Sequence, residues 1–200
     1  TWLAGQYGIG QTMLILGAAF LVVVVLLSQL LKAPPAGYNP NAKSAGAGAA
    51  AAPADDYTPL EVLRTPQFYL LWFMYACGAG AGLMIIGKLA AIAQQQAGLA
   101  LGFVLVAVLA IGNGAGRIAA GMLSDKIGRK PTLFIAFVSQ AVLIFLMSRA
   151  AADNFLGNAV VLSLLSALIG ANYGANLAIF PSITKDFYGL KNFGVNYGLV

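Results

Sequence analysis

In a chain of 200 residues, 60% are apolar and only 8% are charged, and the mean hydropathy is +0.84. A soluble domain carries roughly 25% charged residues because its surface faces water, so this chain reads as an integral membrane protein. The net charge of +5 does not point to nucleic acid, because the basic residues fall mostly between apolar spans, where they report topology. With one cysteine, Cys77, and no histidine, a disulfide framework, a histidine-based metal centre and imidazole proton chemistry are all excluded, and no cofactor is expected.

A helix needs about 20 mainly apolar residues to cross roughly 30 Å of hydrocarbon. Thr1 to Gln11 reads as a polar, glycine-containing lead-in, and Met13 to Leu31 as a first span closed by Lys32. Residues 33–53, APPAGYNPNAKSAGAGAAAAP, lack periodicity and read as a flexible linker. Thr58 followed by Glu61 fits a capping box at the start of a short surface helix, and equally an ordinary solvated connector. A second span covers Phe68 to Gly87. It opens on the aromatic run FYLLWFMY, an interfacial belt, and continues through Gly78, Gly80 and Gly82, a kink or a place of close packing. Lys88 and the run Gln94 to Gln96 mark its exit.

The stretch Leu99 to Pro131 holds the third span and ends in the charged turn SDKIGRK. A fourth span runs from Thr132 to Met147. A fifth, Leu156 to Thr184, is expected to bend at Pro181, and a sixth begins at Asn192. The chain stops at Val200 inside that segment and is expected to be part of a longer one. Lys32, Lys43, Arg64, Lys126, Arg129, Lys130, Lys185 and Lys191 fall on one side of the spans, and only Lys88 and Arg149 on the other. The positive-inside rule then places the linker and the loops at 124–131 and 185–191 in the cytoplasm, with the spans in the plasma (inner) membrane.

Arg117 stands seven residues before Ser124, about 10 Å inside the end of its helix. An arginine at depth costs about 2.5–3.5 kcal/mol on insertion scales and marks a functional cavity by default; a snorkelling side chain is the alternative. All six acids, Asp55, Asp56, Glu61, Asp125, Asp153 and Asp186, lie outside the spans. A guanidinium without a buried carboxylate attracts an anion, and its planar fork suits a carboxylate. Asn113, one turn earlier on the same face, can bond a substrate oxygen or fix the guanidinium. In the fifth span Asn172 and Asn176 share a face beside Tyr173, and Gly170 and Gly174 form a small-xxx-small pair. These polar groups line a cavity or bond a neighbouring helix. No nucleophile–base pair, metal cluster or phosphate loop is evident, so no catalytic residue is assigned.

Gly121, Asp125, Lys126, Gly128, Arg129 and Lys130 match every defined position of G-x-x-x-D-[RK]-x-G-[RK]-[RK], which resembles the signature loop of the major facilitator superfamily. Gly121 would permit close helix approach, Gly128 a tight turn, and Asp125 pairing with a cation or a helix N-terminus. The segments LEVLRTPQFYLLW, NGAGRIAAGMLSDKIGR, AIFPSITKDFYG and KNFGVNYG, within Leu60 to Gly198, are similar to the oxalate/formate antiporter family, which includes lactate-type monocarboxylate carriers. The resemblance implies an all-α membrane fold in two six-helix halves. Residues 1–31 would hold helix 6, residues 32–65 the central cytoplasmic linker, and residues 66–200 helices 7 to 10 and the start of helix 11. It further implies alternating-access transport of a small carboxylate of the oxalate, formate or lactate class, with the missing N-terminal half and the lipid bilayer as partners and protons as a candidate co-substrate. The charged loop would act in gating.

Arg117, Asn113, Asn172 and Asn176, from their place in the spans, and Tyr173, by that resemblance, are the expected substrate-binding residues. An aromatic at the Tyr173 position lines the anion cavity in the family, and the family carries a lysine on helix 11 that helps bind the dicarboxylate, at a position not reached by Val200. Related animal monocarboxylate carriers often have aspartate where this chain has Asn113. Oxalate/formate-type antiport is the first expectation and proton-coupled lactate-type symport the alternative. A ligand-binding membrane sensor on the same fold is the reading of another class.

Overall fold

The computed structural model describes residues 2–30, 56–98, 100 and 102–200. The regular elements among the described residues are all helices: α1 (Trp2–Ser28), α2 (Pro59–Leu63), α3 (Pro66–Gln95), α4 (Gly102–Ile127), α5 (Arg129–Ser148), a 3₁₀ turn at Phe155–Gly157, α6 (Ala159–Tyr188) and α7 (Phe193–Leu199). Five of these, α1 and α3 to α6, are long and apolar enough to cross a membrane. The expected linker lies outside the described residues up to residue 55. Contacts divide the chain into two units, Thr1–Gly46 with α1 and Ala47–Val200 with the remaining helices.

Helix ends overrun the hydropathy boundaries for identifiable reasons. α1 is helical from Trp2 through the expected lead-in, interrupted only at Gly8 (φ 73°, ψ 166°). There the Thr12 hydroxyl donates back to the Gly8 carbonyl at 2.8 Å. α3 continues past Gly87 to Gln95 with an exposed Lys88, because lysine and glutamine end an apolar span without ending a helix. α6 is capped by Asn158, whose side chain accepts from the Val160 N–H at 2.9 Å, and runs from Ala159 through Pro181 to Tyr188. Lys185 and Asp186 are therefore helical, not part of a loop.

The expected charged turn is a single-residue junction. α4 reaches Ile127 and α5 starts at Arg129, so of 124–131 only Gly128 is non-helical. Its φ of 93° is a value that a side chain disfavours. The Gly128 N–H still bonds the Ser124 carbonyl at 3.0 Å, and its own carbonyl accepts the Thr132 hydroxyl at 2.8 Å. Pro131 is tolerated because the first turn of a helix has no use for its missing N–H.

The bundle is built on α4 against α6. A Cβ on Gly112 or Gly116 would collide with the carbonyl oxygens of Ala167 and Ala171, and one on Gly170 or Gly174 with those of Leu109 and Asn113. The two small-xxx-small pairs thus face one another, and backbone rests on backbone. In lipid, where tails are as apolar as leucine, such close packing is what holds helices together. Gly121 does not share this role: a Cβ there meets nothing within 4 Å, so the close approach expected at Gly121 falls at the α4–α6 seam instead.

Apolar residues form two clusters along the bundle. One, near the end that carries Asp125 and Asp186, includes Phe68, Leu71, Leu133, Ile179 and Phe180. The other, at the opposite end, includes Leu89, Leu105, Met147, Leu162 and Ile169. Between them along the chain lie the seam glycines, Asn113, Tyr173, Asn176 and the buried Gln140.

The short helix α2 carries the complete capping box. The Glu61 carboxylate accepts from the Thr58 N–H at 2.7 Å and the Thr58 hydroxyl at 2.8 Å. The backbone bond first, then the hydroxyl bond, holds the Glu61 carboxyl below its ordinary 4.5.

Two outcomes follow. Gly116→Ala lowers the thermal midpoint, since overpacking costs about 1–3 kcal/mol, whereas Gly114→Ala, with open space beside it, leaves it unchanged or slightly raised. Because Glu61 is depressed in the folded state, its contribution is complete above pH 4.5 and lost as pH falls through the lowered value. Amide protection across α2 should drop in that acid range, and Glu61→Ala should abolish the pH dependence.

Candidate functional site

Arg117 sits ten residues before the end of α4, about 15 Å from it at 1.5 Å per residue. Its side chain is exposed, and Nε donates to the Asn113 Oδ1 at 3.2 Å. Helical side chains lean toward the N-terminus, so this bond turns the guanidinium away from the charged end of α4 rather than toward it. The partner is neutral. Among the described residues the ion pairs are those of Arg129 with Asp125 and Asp186, and none includes Arg117.

Asn113 is itself fixed, because its backbone lies against Gly174 of α6. The seam that holds the bundle together therefore also sets the position of the arginine. Tyr173 packs across Gly82 of α3, and Asn176 lies against Gly78 and Phe137. Asn176 is 4% exposed, and its Oδ1 has no hydrogen-bond partner among the described residues. Asn172 faces a cleft of about 160 Å³ between α4, α5 and α6, beside Gly116, Ala119, Thr132 and Ile135. The residues that line it are mostly apolar and include no cation. Of the five expected binding residues, then, only Asn113 and Arg117 are bonded to each other; Tyr173 and Asn176 are turned to α3 and Asn172 to the cleft.

The charged junction forms a compact network. Arg129 bonds the Asp125 carboxylate at 2.7 Å, the Ser124 hydroxyl, and the Asp186 carboxylate at 3.3 Å. A cation at the start of a helix opposes the helix dipole, and here two carboxylates compensate it. The Asp186 bond also joins α5 to the far end of α6. Lys126 and Lys130 are exposed and make no ion pair among the described residues. Asp186 was readable from sequence only as a loop charge, because the pairing is between helix ends 57 positions apart.

A second feature without a sequence signal is the docking of the segment before α2. Asp56 Oδ1 accepts from the Leu190 and Lys191 N–H groups, each at 3.1 Å. The Tyr57 carbonyl accepts from the side chains of Asn192 at 2.9 Å and Asn196 at 3.1 Å. The chain that enters α2 is thereby tied to the turn between α6 and α7.

Residues 1–200 match the Major Facilitator Superfamily. The chain belongs to that family. It is 32% identical over 202 residues to the "Uncharacterized MFS-type transporter YhjX" of Escherichia coli (strain K12), covering 100% of this chain and 47% of the relative. It is 33% identical over 145 residues to the "Oxalate:formate antiporter" of Oxalobacter formigenes, covering 72% of this chain and 34% of that protein. The chain spans about half, or less, of the length of these relatives. Family membership and the five apolar helices make it a multi-pass integral membrane protein of a transporter family, with a partial Major Facilitator fold.

The network makes an unequal prediction for its two acids. The Asp125 side chain is 68% exposed and that of Asp186 28%, and exposed helical pairs contribute only about 0.3–0.5 kcal/mol. Asp186→Asn should lower the thermal midpoint more than Asp125→Asn, and the difference should persist in high salt.

Proposed function

We propose that this chain carries part of a secondary transporter for small carboxylate anions, working by alternating access as an oxalate/formate-type exchanger. The observation that carries the reading is Arg117: a guanidinium about 15 Å from its helix end, engaged through Nε by a neutral amide and outside every ion pair among the described residues. At that depth a permanent charge calls for a counter-ion, and a carboxylate matches the two nitrogens that Asn113 leaves open. The similarity to a relative named for oxalate and formate supports the same substrate class.

In this reading α1 is the last helix of one half, and α3 to α7 belong to the other half, which rocks against its partner about a midplane site. The charged end of the bundle faces the cytoplasm of a plasma membrane, consistent with its excess of lysine and arginine. The network on Arg129 serves as the gating element, because it holds α4, α5 and α6 together at one face. Asn113 also bears on the choice between exchange and proton symport. An amide has no proton to lose or gain, so α4 offers no titrating partner beside Arg117, and exchange is favoured.

The test uses the full-length protein in proteoliposomes. Arg117→Gln should raise the KM for oxalate and formate at least tenfold, the scale of a charged hydrogen bond of about 1.5–3 kcal/mol. Arg117→Lys, which keeps the charge but loses the fork, should recover it only in part. Normal uptake by Arg117→Gln would sink the carboxylate reading. Counterflow of labelled oxalate without a proton gradient should proceed at full rate, and a requirement for the gradient would instead mark a symporter.

A further inference from the structure

Only Gly189 to Asn192 separate α6 from α7, and the bend opens on Gly189 at φ 78° and ψ −174°, a conformation that a side chain disfavours. The Leu190 and Lys191 N–H groups fall outside both helices, and one oxygen of Asp56 accepts both, each at 3.1 Å. Tyr57 continues the bridge with its backbone alone. Its N–H donates at 3.2 Å to the carbonyl of Tyr188, the last residue of α6. Its carbonyl accepts from Asn192 at 2.9 Å, just before α7, and from Asn196 at 3.1 Å, within it. Two consecutive residues of the incoming chain thus hold both sides of the bend.

The two helices depend on this bridge unequally. The Thr65 hydroxyl, which donates to the Val62 carbonyl at 2.7 Å, is left to accept the Tyr188 hydroxyl at 3.1 Å. The end of α6 therefore stays with the start of α3 whether or not the bridge is made. α7 has no comparable second tie. Besides Asn196, its side-chain hydrogen bond among the described residues is that of Tyr197 with Tyr75 on α3, at 3.5 Å, the outer limit for such a bond. Asn196 is 0% exposed, and its Oδ1 has no partner among the described residues.

We infer that Asp56 and Tyr57 form a latch on α7. Closed, it sets the angle between α6 and α7; open, it frees α7 to swing about Gly189. Bonds to a carboxylate close it firmly, but Asp56 is exposed, so water takes over those bonds on release and the net cost is modest. The unsatisfied acceptor on Asn196 lowers that cost further, because the closed state already leaves a buried group unpaired. The latch goes beyond the carboxylate reading and is independent of it, since its parts belong to the chain alone. It lets one helix change its angle while the α4–α6 seam stays intact.

The experiment is amide hydrogen exchange with residue resolution, on the full-length protein in lipid nanodiscs without substrate. Asp56→Ala should speed exchange at Leu190 and Lys191 about tenfold or more, the scale of a charge-assisted bond. Because a latch opens as a unit, the Tyr57 N–H and residues 193–196 should speed up with them. Asp56→Asn, which keeps a neutral acceptor, should fall between Asp56→Ala and wild type. Asn192→Ala works from the other side: it should speed exchange at Leu190 and Lys191, whose own acceptor it leaves untouched. Amides of the α4–α6 seam, residues 170–174, should keep their wild-type rates in every variant. If Asp56→Ala affects Leu190 and Lys191 alone, or Asn192→Ala leaves them unchanged, the contacts are separate caps and the latch is overturned. If the seam speeds up equally, the segment braces the whole bundle, and the latch is again overturned. Wild-type exchange at Leu190 and Lys191 in Asp56→Ala would overturn it outright.

Discussion

The structure of the second unit depends on two helices whose backbones touch. At Gly112 and Gly116 of α4, and at Gly170 and Gly174 of α6, there is no room for a Cβ, and carbonyl oxygens of one helix lie where side chains would otherwise stand. Hydrophobic burial cannot drive this pairing in lipid, so its stability comes from dispersion between well-fitted surfaces and from polar groups shielded by the fit. Asn113 lies in the same seam, and through its side chain the position of Arg117 is set by helix packing rather than by a flexible loop. A binding constellation held to sub-ångström precision requires such a rigid support.

Charge is handled differently at the end of the bundle and in its depth. At the end, Arg129 is surrounded by Ser124, Asp125 and Asp186, and the ionic groups compensate one another close to water. In depth, Arg117 has only an amide beside it. One arrangement is complete within the described residues, and the other calls for a charge from outside them. The contrast between these two arginines, one about 15 Å inside the end of α4 and the other just past that end, carries more functional meaning than either would alone.

Much of this was legible in the sequence, and the limits have physical causes. Long apolar runs revealed the membrane helices, because hydrocarbon imposes length and composition on any segment that crosses it. Hydropathy placed their ends poorly: a polar residue ends an apolar span without ending a helix, so Lys88, Lys185 and Asp186 are helical although they are polar. The signature turn led to the family through residue identity. Its form, two helices meeting at Gly128 alone, was not foreseen because the dense run of charges from Asp125 to Lys130 read as one turn. Arg117 and Asn113 could be paired from helical spacing. Asp186 with Arg129, Asp56 with the α6–α7 turn, and Tyr75 with Tyr197 could not, since each joins positions distant in the chain and follows no local period.

Gly8 has a consequence for how α1 meets the bilayer. A residue with φ 73° and ψ 166° breaks the ladder of helical hydrogen bonds, and the Thr12 hydroxyl answers for only one of the groups released. Hydrocarbon offers nothing to the others, and a lipid-facing backbone break does not persist there. The interruption therefore calls for water at headgroup level or for cover by protein. From Ile9 to Ser28 the helix then covers about 30 Å at 1.5 Å per residue, the thickness of the hydrocarbon core. One glycine thus divides the first helix, and the part that follows it matches the hydrocarbon thickness by itself.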